Sequence, residues 1–149
     1  MKKRRPPKTT NEVVAEVRAI YDELAERPIE RACVRRTECC HFKLTGRTPY
    51  LTKGEARTVA AALRASGRKE LPARTDGACP LLTSDGNCLI YAARPFGCRT
   101  HFCAAAGGPY ARREVIDLIR RLEDLDTELG GSGAMSLPVA VKAALRETA

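Results

Sequence analysis

The chain has 149 residues, a formal net charge of +8 and 44% apolar residues, many of them alanine or cysteine. That length suits one domain, and no stretch approaches the roughly 18 consecutive apolar residues of a membrane helix. With no tryptophan, three phenylalanines and four tyrosines, the aliphatic core is lean, and a cross-link of metal type is the expected supplement.

The charge is unevenly spread. Lys2, Lys3, Arg4, Arg5 and Lys8 stand together with no acid among them, which leaves 21 basic against 18 acidic residues for the rest. Four thiolates around a divalent ion would add about −2 to that remainder. The folded body is then nearly neutral, and residues 1–9 read as a basic, proline-containing, disordered arm.

A first helix is predicted from about Asn11 to Ala25. Val13, Val17, Ile20 and Leu24 recur at helical spacing, Thr10 or Asn11 offers a cap, and Arg27-Pro28 ends the run. A second helix starts at Thr52, where Glu55 stands three residues after a capping threonine. Ala56, Val59, Ala60 and Leu63 form its stripe, and Gly67 is the stop. The third, Tyr110 to Leu129, carries Val115, Leu118, Leu122, Leu125 and Leu129. It spans just over two heptads, which favours a core face of this domain over a dimerising zipper. Gly130-Gly131-Ser132-Gly133 is a flexible break, and Ser136 caps a final helix to Arg146. The division is thus an arm (1–9), a cysteine-cluster domain (10–129), and a Gly-rich linker with C-terminal helix (130–149).

Between the second and third helices the pattern is loop-like. Thr83-Ser84-Asp85-Gly86-Asn87 is a turn signal between PLL and CLIY and predicts a short β-hairpin. Arg94-Pro95-Phe96-Gly97 predicts a second turn that presents Cys98. The expected fold is mainly α: a small helical domain around an irregular cysteine-rich metal-binding centre with a short β-hairpin.

Seven cysteines (Cys33, Cys39, Cys40, Cys79, Cys88, Cys98 and Cys103) fall within 71 residues, with none in either flank. Disulfides are the competing use. The count is odd, Cys39 and Cys40 are adjacent, and the basic start is followed by Asn11, Glu12, Glu16 and Arg18 rather than by an apolar secretory segment. The expectation is a cytoplasmic protein with reduced thiols, which are soft, strong donors to zinc and iron. Five of the seven aromatic residues (Phe42, Tyr50, Tyr91, Phe96 and Phe102) lie in the same region, where rings would wall a metal from water.

Spacing bears on the metal. Zinc knuckles place two sulfurs on one tight turn as C-x2-4-C. Here the intervals are C-x5-C-C and C-x8-C-x9-C-x4-C, and only Cys98 to Cys103 falls in that range. The wider intervals and the Cys79-Pro80 step suit an iron–sulfur cluster somewhat better. His41 and His101 could complete a site, although the thiols suffice without them. Arg94 and Arg99 read as donors toward an anionic substrate or the cluster thiolates; equally, Arg94 pairs with a carboxylate and braces the turn.

The stretch C-P-x-L…D-G-x-C-x-I-Y-x-x-R-P-x-x-C-R-x-x-x-C, preceded by the Cys39-Cys40 pair, closely resembles the YkgJ-type cysteine-cluster family, described as a zinc- or iron-chelating domain. The resemblance spans roughly Cys33 to Cys103. The family's upstream C-x2-C-x2-C-C maps onto Cys33, Arg36, Cys39 and Cys40, so the second cysteine is replaced by an arginine that cannot ligate. Seven thiols then favour one site over two full sites. The downstream cysteines are the expected main ligands, completed by Cys39 or Cys40; neighbours on an extended chain point apart, so one of that pair faces away.

Three functions follow. The first is a metal-binding protein holding an iron–sulfur cluster or zinc, with iron–sulfur favoured, that serves structure, metal handling or a protein partner. The second is an enzyme, because the same domain occurs in flagellin lysine N-methylases and would imply an iron–sulfur-dependent lysine methyltransferase. This chain, however, has no Gly-rich strand-to-helix turn for a nucleoside cofactor. The third is a zinc-stabilised interaction module whose residues 1–9 make weak, non-specific, salt-sensitive contact with nucleic acid. No membrane role is expected.

Overall fold

A computed structural model describes residues 6–27, 48–72, 77–83, 88–100 and 110–147. Cys33, Arg36, Cys39, Cys40, His41, Phe42, His101, Phe102, Cys103 and the 84–87 turn lie outside the described residues. Helix α1 is Thr10–Glu26 and strand β1 is Tyr50–Leu51. Helix α2 is Lys53–Ala65, and a 3-10 turn covers Tyr91–Ala93. Helix α3 is Phe96–Thr100, α4 is Arg112–Glu128, β2 is Met135–Ser136 and α5 is Leu137–Glu147. The mainly helical class expected from the sequence holds, with one small antiparallel sheet among the described residues.

The long helices form where the apolar periods place them. Val13, Val17, Ile20 and Leu24 of α1 meet Val115, Leu118, Leu122 and Leu125 of α4 in one apolar cluster, which also takes the Phe96 ring. The α4 stripe is therefore core of this domain, as its short heptad run suggests. A second cluster joins Val59, Ala60 and Leu63 of α2 to Leu137, Ala140 and Val141 of α5. Each fully buried Val or Leu contributes about 1.5–3 kcal/mol relative to exposure, so these stripes carry most of the helical framework.

Helix α2 packs on α1, α4 and α5. Close approach is possible because its second residue is glycine: a Cβ at Gly54 would lie 2.8 Å from Leu125 Cδ2 and 3.2 Å from Val17 Cγ2. At the other end the chain leaves the helix through Gly67 at φ +84°, with Arg68 N–H bonding Leu63 O at 2.9 Å. The predicted glycine stop is thus the residue that takes the left-handed conformation.

Local capping corrects the first boundary. The α1 cap is Thr9, one residue before the expected Thr10 or Asn11; its Oγ1 accepts from Glu12 N–H, and Glu12 reciprocates on Thr9 N–H. Lys8, in the basic stretch, bonds Glu16 at 2.6 Å and Glu128 at 3.0 Å. Arg27 at the far end of α1 reaches Asp117 of α4, with Nη1 and Oδ1 at 2.9 Å.

The sheet is not the one expected. Tyr50 pairs with Ser136 and Leu51 with Met135, so Ser136 is in a strand and α5 begins one residue later. Leu137 N–H continues the pairing to Pro49 O at 2.9 Å. The expected hairpin is reduced, among the described residues, to an antiparallel bridge between Leu82 and Cys88. Two-residue strands have no period to read, which is why the long-range pair escapes sequence inspection.

Candidate metal centre

The described part of the cysteine segment begins as a buried turn. Cys79 O accepts from Leu82 N–H at 3.0 Å, and Leu81 O accepts from Leu89 N–H at 2.8 Å. Cys79 is 6% exposed and belongs, with Leu81, Leu82 and Ile90, to the cluster built on α2 and α5. Cys88 is half-buried and packs against the same cluster. A bare thiolate at the Cys79 position would be costly to desolvate, whereas a thiol or a metal-bound thiolate is tolerated.

Cys98 reaches the region by another route. The predicted Arg94-Pro95-Phe96-Gly97 turn is in fact the start of α3, and Cys98 sits in the middle of that helix. Pro95 O accepts from Cys98 N–H at 3.0 Å and from Arg99 N–H at 3.1 Å. Proline has no N–H to leave unsatisfied at a helix start, and its fixed φ suits the entry.

The first N–H of α3 goes to a residue that sequence reasoning had assigned only to local capping. Glu55 is 3% exposed. Its Oε2 accepts from Phe96 N–H at 2.6 Å and from the Tyr21 hydroxyl at 2.8 Å. Its Oε1 accepts from Thr52 N–H at 3.3 Å and Thr52 Oγ1 at 3.2 Å. Burial pushes the Glu55 carboxyl above the ordinary glutamate value, while the Phe96, Tyr21 and Thr52 donors oppose that rise. Tyr21 is pushed well up, first by burial and then by the neighbouring Glu55 charge.

Arg99 closes this arrangement. Its guanidinium lies 4.1 Å from the Tyr21 ring centroid, Nε donates to Arg94 O at 2.7 Å and Nη2 donates to Ala92 O at 2.6 Å. Burial lowers its pKa. Arg94 donates to Tyr91 O at 3.1 Å and stacks on the Tyr91 ring at 3.8 Å. Among the described residues both arginines therefore brace backbone carbonyls, and Arg94 also stacks on the Tyr91 ring.

The expected aromatic wall is also revised for the described residues. Phe96 is buried in the α1–α4 core, but Tyr50 is 63% and Tyr91 38% exposed. Alternation along β1 explains Tyr50, since Leu51 takes the inward position. A groove of about 430 Å³ between β1, α3 and α4 is lined by Tyr50, Phe96, Gly97, Tyr110 and Ile119 among others. Glu55 borders it, but four donors already occupy its oxygens; Glu123 also lines the groove.

A second buried acid was missed. Asp126 on α4 is 3% exposed and accepts from Lys53 N–H at 2.7 Å and Gly133 N–H at 3.0 Å. It caps α2 from a neighbouring helix. The signal was available: Asp126 stands four residues after Leu122 and three before Leu129, on the apolar stripe.

Among the described residues no three His, Cys, Asp or Glu side chains form a metal-binding group. The donors fit zinc or iron in kind, being soft thiols with one already buried. The model of the CxxCxxCC family, described as a putative zinc- or iron-chelating domain, matches residues 32–118, more than half of the chain and all seven cysteines. No curated protein and no solved structure matches the chain.

Proposed function

Because the chain belongs to the CxxCxxCC family of zinc- or iron-chelating domains, we propose that its cysteines hold a single iron–sulfur cluster that ties the 79–103 segment to the helical frame. The observation that carries this reading is the wide spacing of thiols along one continuous run: Cys79, Cys88 and Cys98 are separated by eight and nine residues, with no C-x2-C knuckle. A cluster presents several iron atoms to several thiolates and tolerates such intervals, whereas one tetrahedral zinc favours paired sulfurs on a tight turn.

Cys79, Cys88 and Cys98 are the described ligands in this reading, and one of Cys103, Cys39 and Cys40 supplies the fourth. The cluster would contribute iron–thiolate bonds and redox capacity. The chain's own residues bury Cys79, hold the backbone between Cys79 and Cys88 by the Leu82–Cys88 bridge, and brace the approach to Cys98 through Arg94 and Arg99. Thiols kept reduced in a cytoplasmic setting suit this use. Among the described residues no helix is long and apolar enough to cross a membrane.

The test is anaerobic purification followed by iron, sulfide and zinc analysis, absorbance near 400 nm and electron paramagnetic resonance. Iron and acid-labile sulfide with visible absorbance are expected. One tightly held zinc per chain, with no iron and no visible band, overturns the cluster and leaves a zinc-stabilised module.

A further inference from the structure

Helix α3 has five residues, too few to persist by its own hydrogen bonds, since a single turn bears the whole nucleation cost. Something outside it must fix where Cys98 stands. Cys79 and Cys88 are held by the apolar cluster of α2 and α5, but Cys98 is not part of that cluster.

We propose that Glu55 is the positioning residue for Cys98, acting as an external cap on the helix that carries it. The inference rests on the chelation reading above and adds a residue that is not a ligand. Glu55 is 41 positions away in sequence from Phe96, whose N–H its Oε2 accepts at 2.6 Å. A carboxylate at a helix N-terminus both satisfies an orphan donor and complements the helix dipole. Glu55 can serve as a fixed point because it is buried on the first turn of the thirteen-residue α2 and is held by Thr52 and Tyr21.

The second tie lies just past the cysteine. Arg99 stacks on the ring of Tyr21, the same residue whose hydroxyl donates to Glu55. Phe96 and Arg99 are thus referred to the two members of one buried hydrogen-bonded pair, Glu55 and Tyr21, and Cys98 lies between them. The Phe96 side chain adds an apolar anchor in the α1–α4 core. The arrangement holds a thiol through its backbone rather than by touching sulfur, as residues outside a metal's immediate ligands commonly do.

Full-length wild type, Glu55→Ala, Glu55→Gln and Asp126→Ala are compared by anaerobic titration with Co²⁺ and Zn²⁺, with the thiolate-to-cobalt charge-transfer band as the spectroscopic readout. Asp126 controls for stability, because it caps the same helix α2 but its bonds go to Lys53 and Gly133, not to α3. Glu55→Ala is expected to weaken metal binding by about 10–100-fold and to reduce the charge-transfer intensity per metal. Glu55→Gln keeps one oxygen for Phe96 N–H and should restore most of both, while Asp126→Ala leaves affinity per folded molecule within about twofold.

A metal-independent measurement accompanies the titration: alkylation of Cys98 in metal-free protein, followed by peptide mass analysis. The rate should rise about tenfold or more in Glu55→Ala through local opening of α3, and not in Asp126→Ala. Unchanged Cys98 reactivity in Glu55→Ala, or equal effects of Glu55→Ala and Asp126→Ala, overturns the positioning role. Wild type that binds neither metal nor cluster, with Cys98 reactivity still governed by Glu55, removes the chelation reading and upholds the positioning one.

Discussion

Tyr21 shows how one hydroxyl can matter to several elements. It donates to Glu55 at 2.8 Å from a ring that is 4% exposed, and a hydrogen bond to a charged acceptor contributes about 1.5–3 kcal/mol. Tyr21→Phe should therefore lower unfolding free energy by roughly 2 kcal/mol, read as a shift of the urea midpoint at unchanged slope. A change within error would mean that water or Thr52 replaces the lost donor. Glu55 itself should leave a mark on pH dependence. Burial raises its folded pKa above the reference 4.5, so the folded state binds the proton more tightly than the unfolded chain. The resulting stabilisation is complete below the unfolded value and is lost as pH rises through the raised folded value. Glu55→Gln cannot titrate. The stability of wild type relative to Glu55→Gln should be greatest near about pH 4 and shrink toward neutrality, as followed by urea midpoints of both proteins across that range. A relative stability that grows with pH contradicts the direction.

At the scale of elements, the crossing of α2 over α1 and α4 depends on the absence of a side chain at Gly54. Gly54→Val would place atoms against Leu125 and Val17, both essentially buried, and overpacking of this kind costs about 1–3 kcal/mol. Thermal unfolding should show a lower midpoint for Gly54→Val, with α-helical circular dichroism retained at low temperature. An unchanged midpoint would show that the helices shift apart freely. The long helices and their buried faces were legible because Val13, Val17, Ile20 and Leu24, or Leu118, Leu122 and Leu125, repeat a period that only a helix satisfies. The Thr52–Glu55 start and the Gly67 stop were legible for stereochemical reasons. What escaped was non-local: β1 and β2 are too short to show alternation, α3 looked like a turn because Pro95 and Gly97 break helical statistics, and the Phe96 and Tyr21 partners of Glu55 lie on other elements, beyond the local cap that its spacing from Thr52 announces. The seven thiols announced metal chemistry by clustering alone, whereas the means of holding Cys98 required coordinates.

For the whole molecule, the two apolar clusters imply unequal dependence on metal. Among the described residues the α1–α4 cluster contains no cysteine, while the α2–α5 cluster incorporates Cys79 and packs against Cys88. Metal binding energy at a thiolate site is in large part folding energy. Chelation should therefore make residues 68–106 the first to open transiently to protease and lower overall stability, with α3 still held in part by Glu55 and α4 surviving longer. Limited proteolysis of metal-loaded and chelator-treated protein, with fragments identified by mass, checks the order. Equal protease resistance of the two forms would mean that burial alone sustains the segment.

The pairing of Tyr50–Leu51 with Met135–Ser136 has a consequence for the entropy of assembling a metal site. Cys79, Cys88 and Cys98 all fall inside the loop that this pair and the α2–α5 contact close. The helical frame has already drawn the ends of that loop together, so the entropy of closing it is not left to metal bonds alone. Loop closure becomes only slowly more costly with length, about 0.6 kcal/mol per doubling, but an open segment must meet the whole constraint from metal bonds alone. Detaching α5 with Leu137→Asp, at a residue with 0% exposure, should accordingly weaken metal affinity although residue 137 is no ligand. Titration of that variant against wild type, at matched temperature and without oxygen, measures how much of the site's affinity the β1–β2 closure supplies in advance.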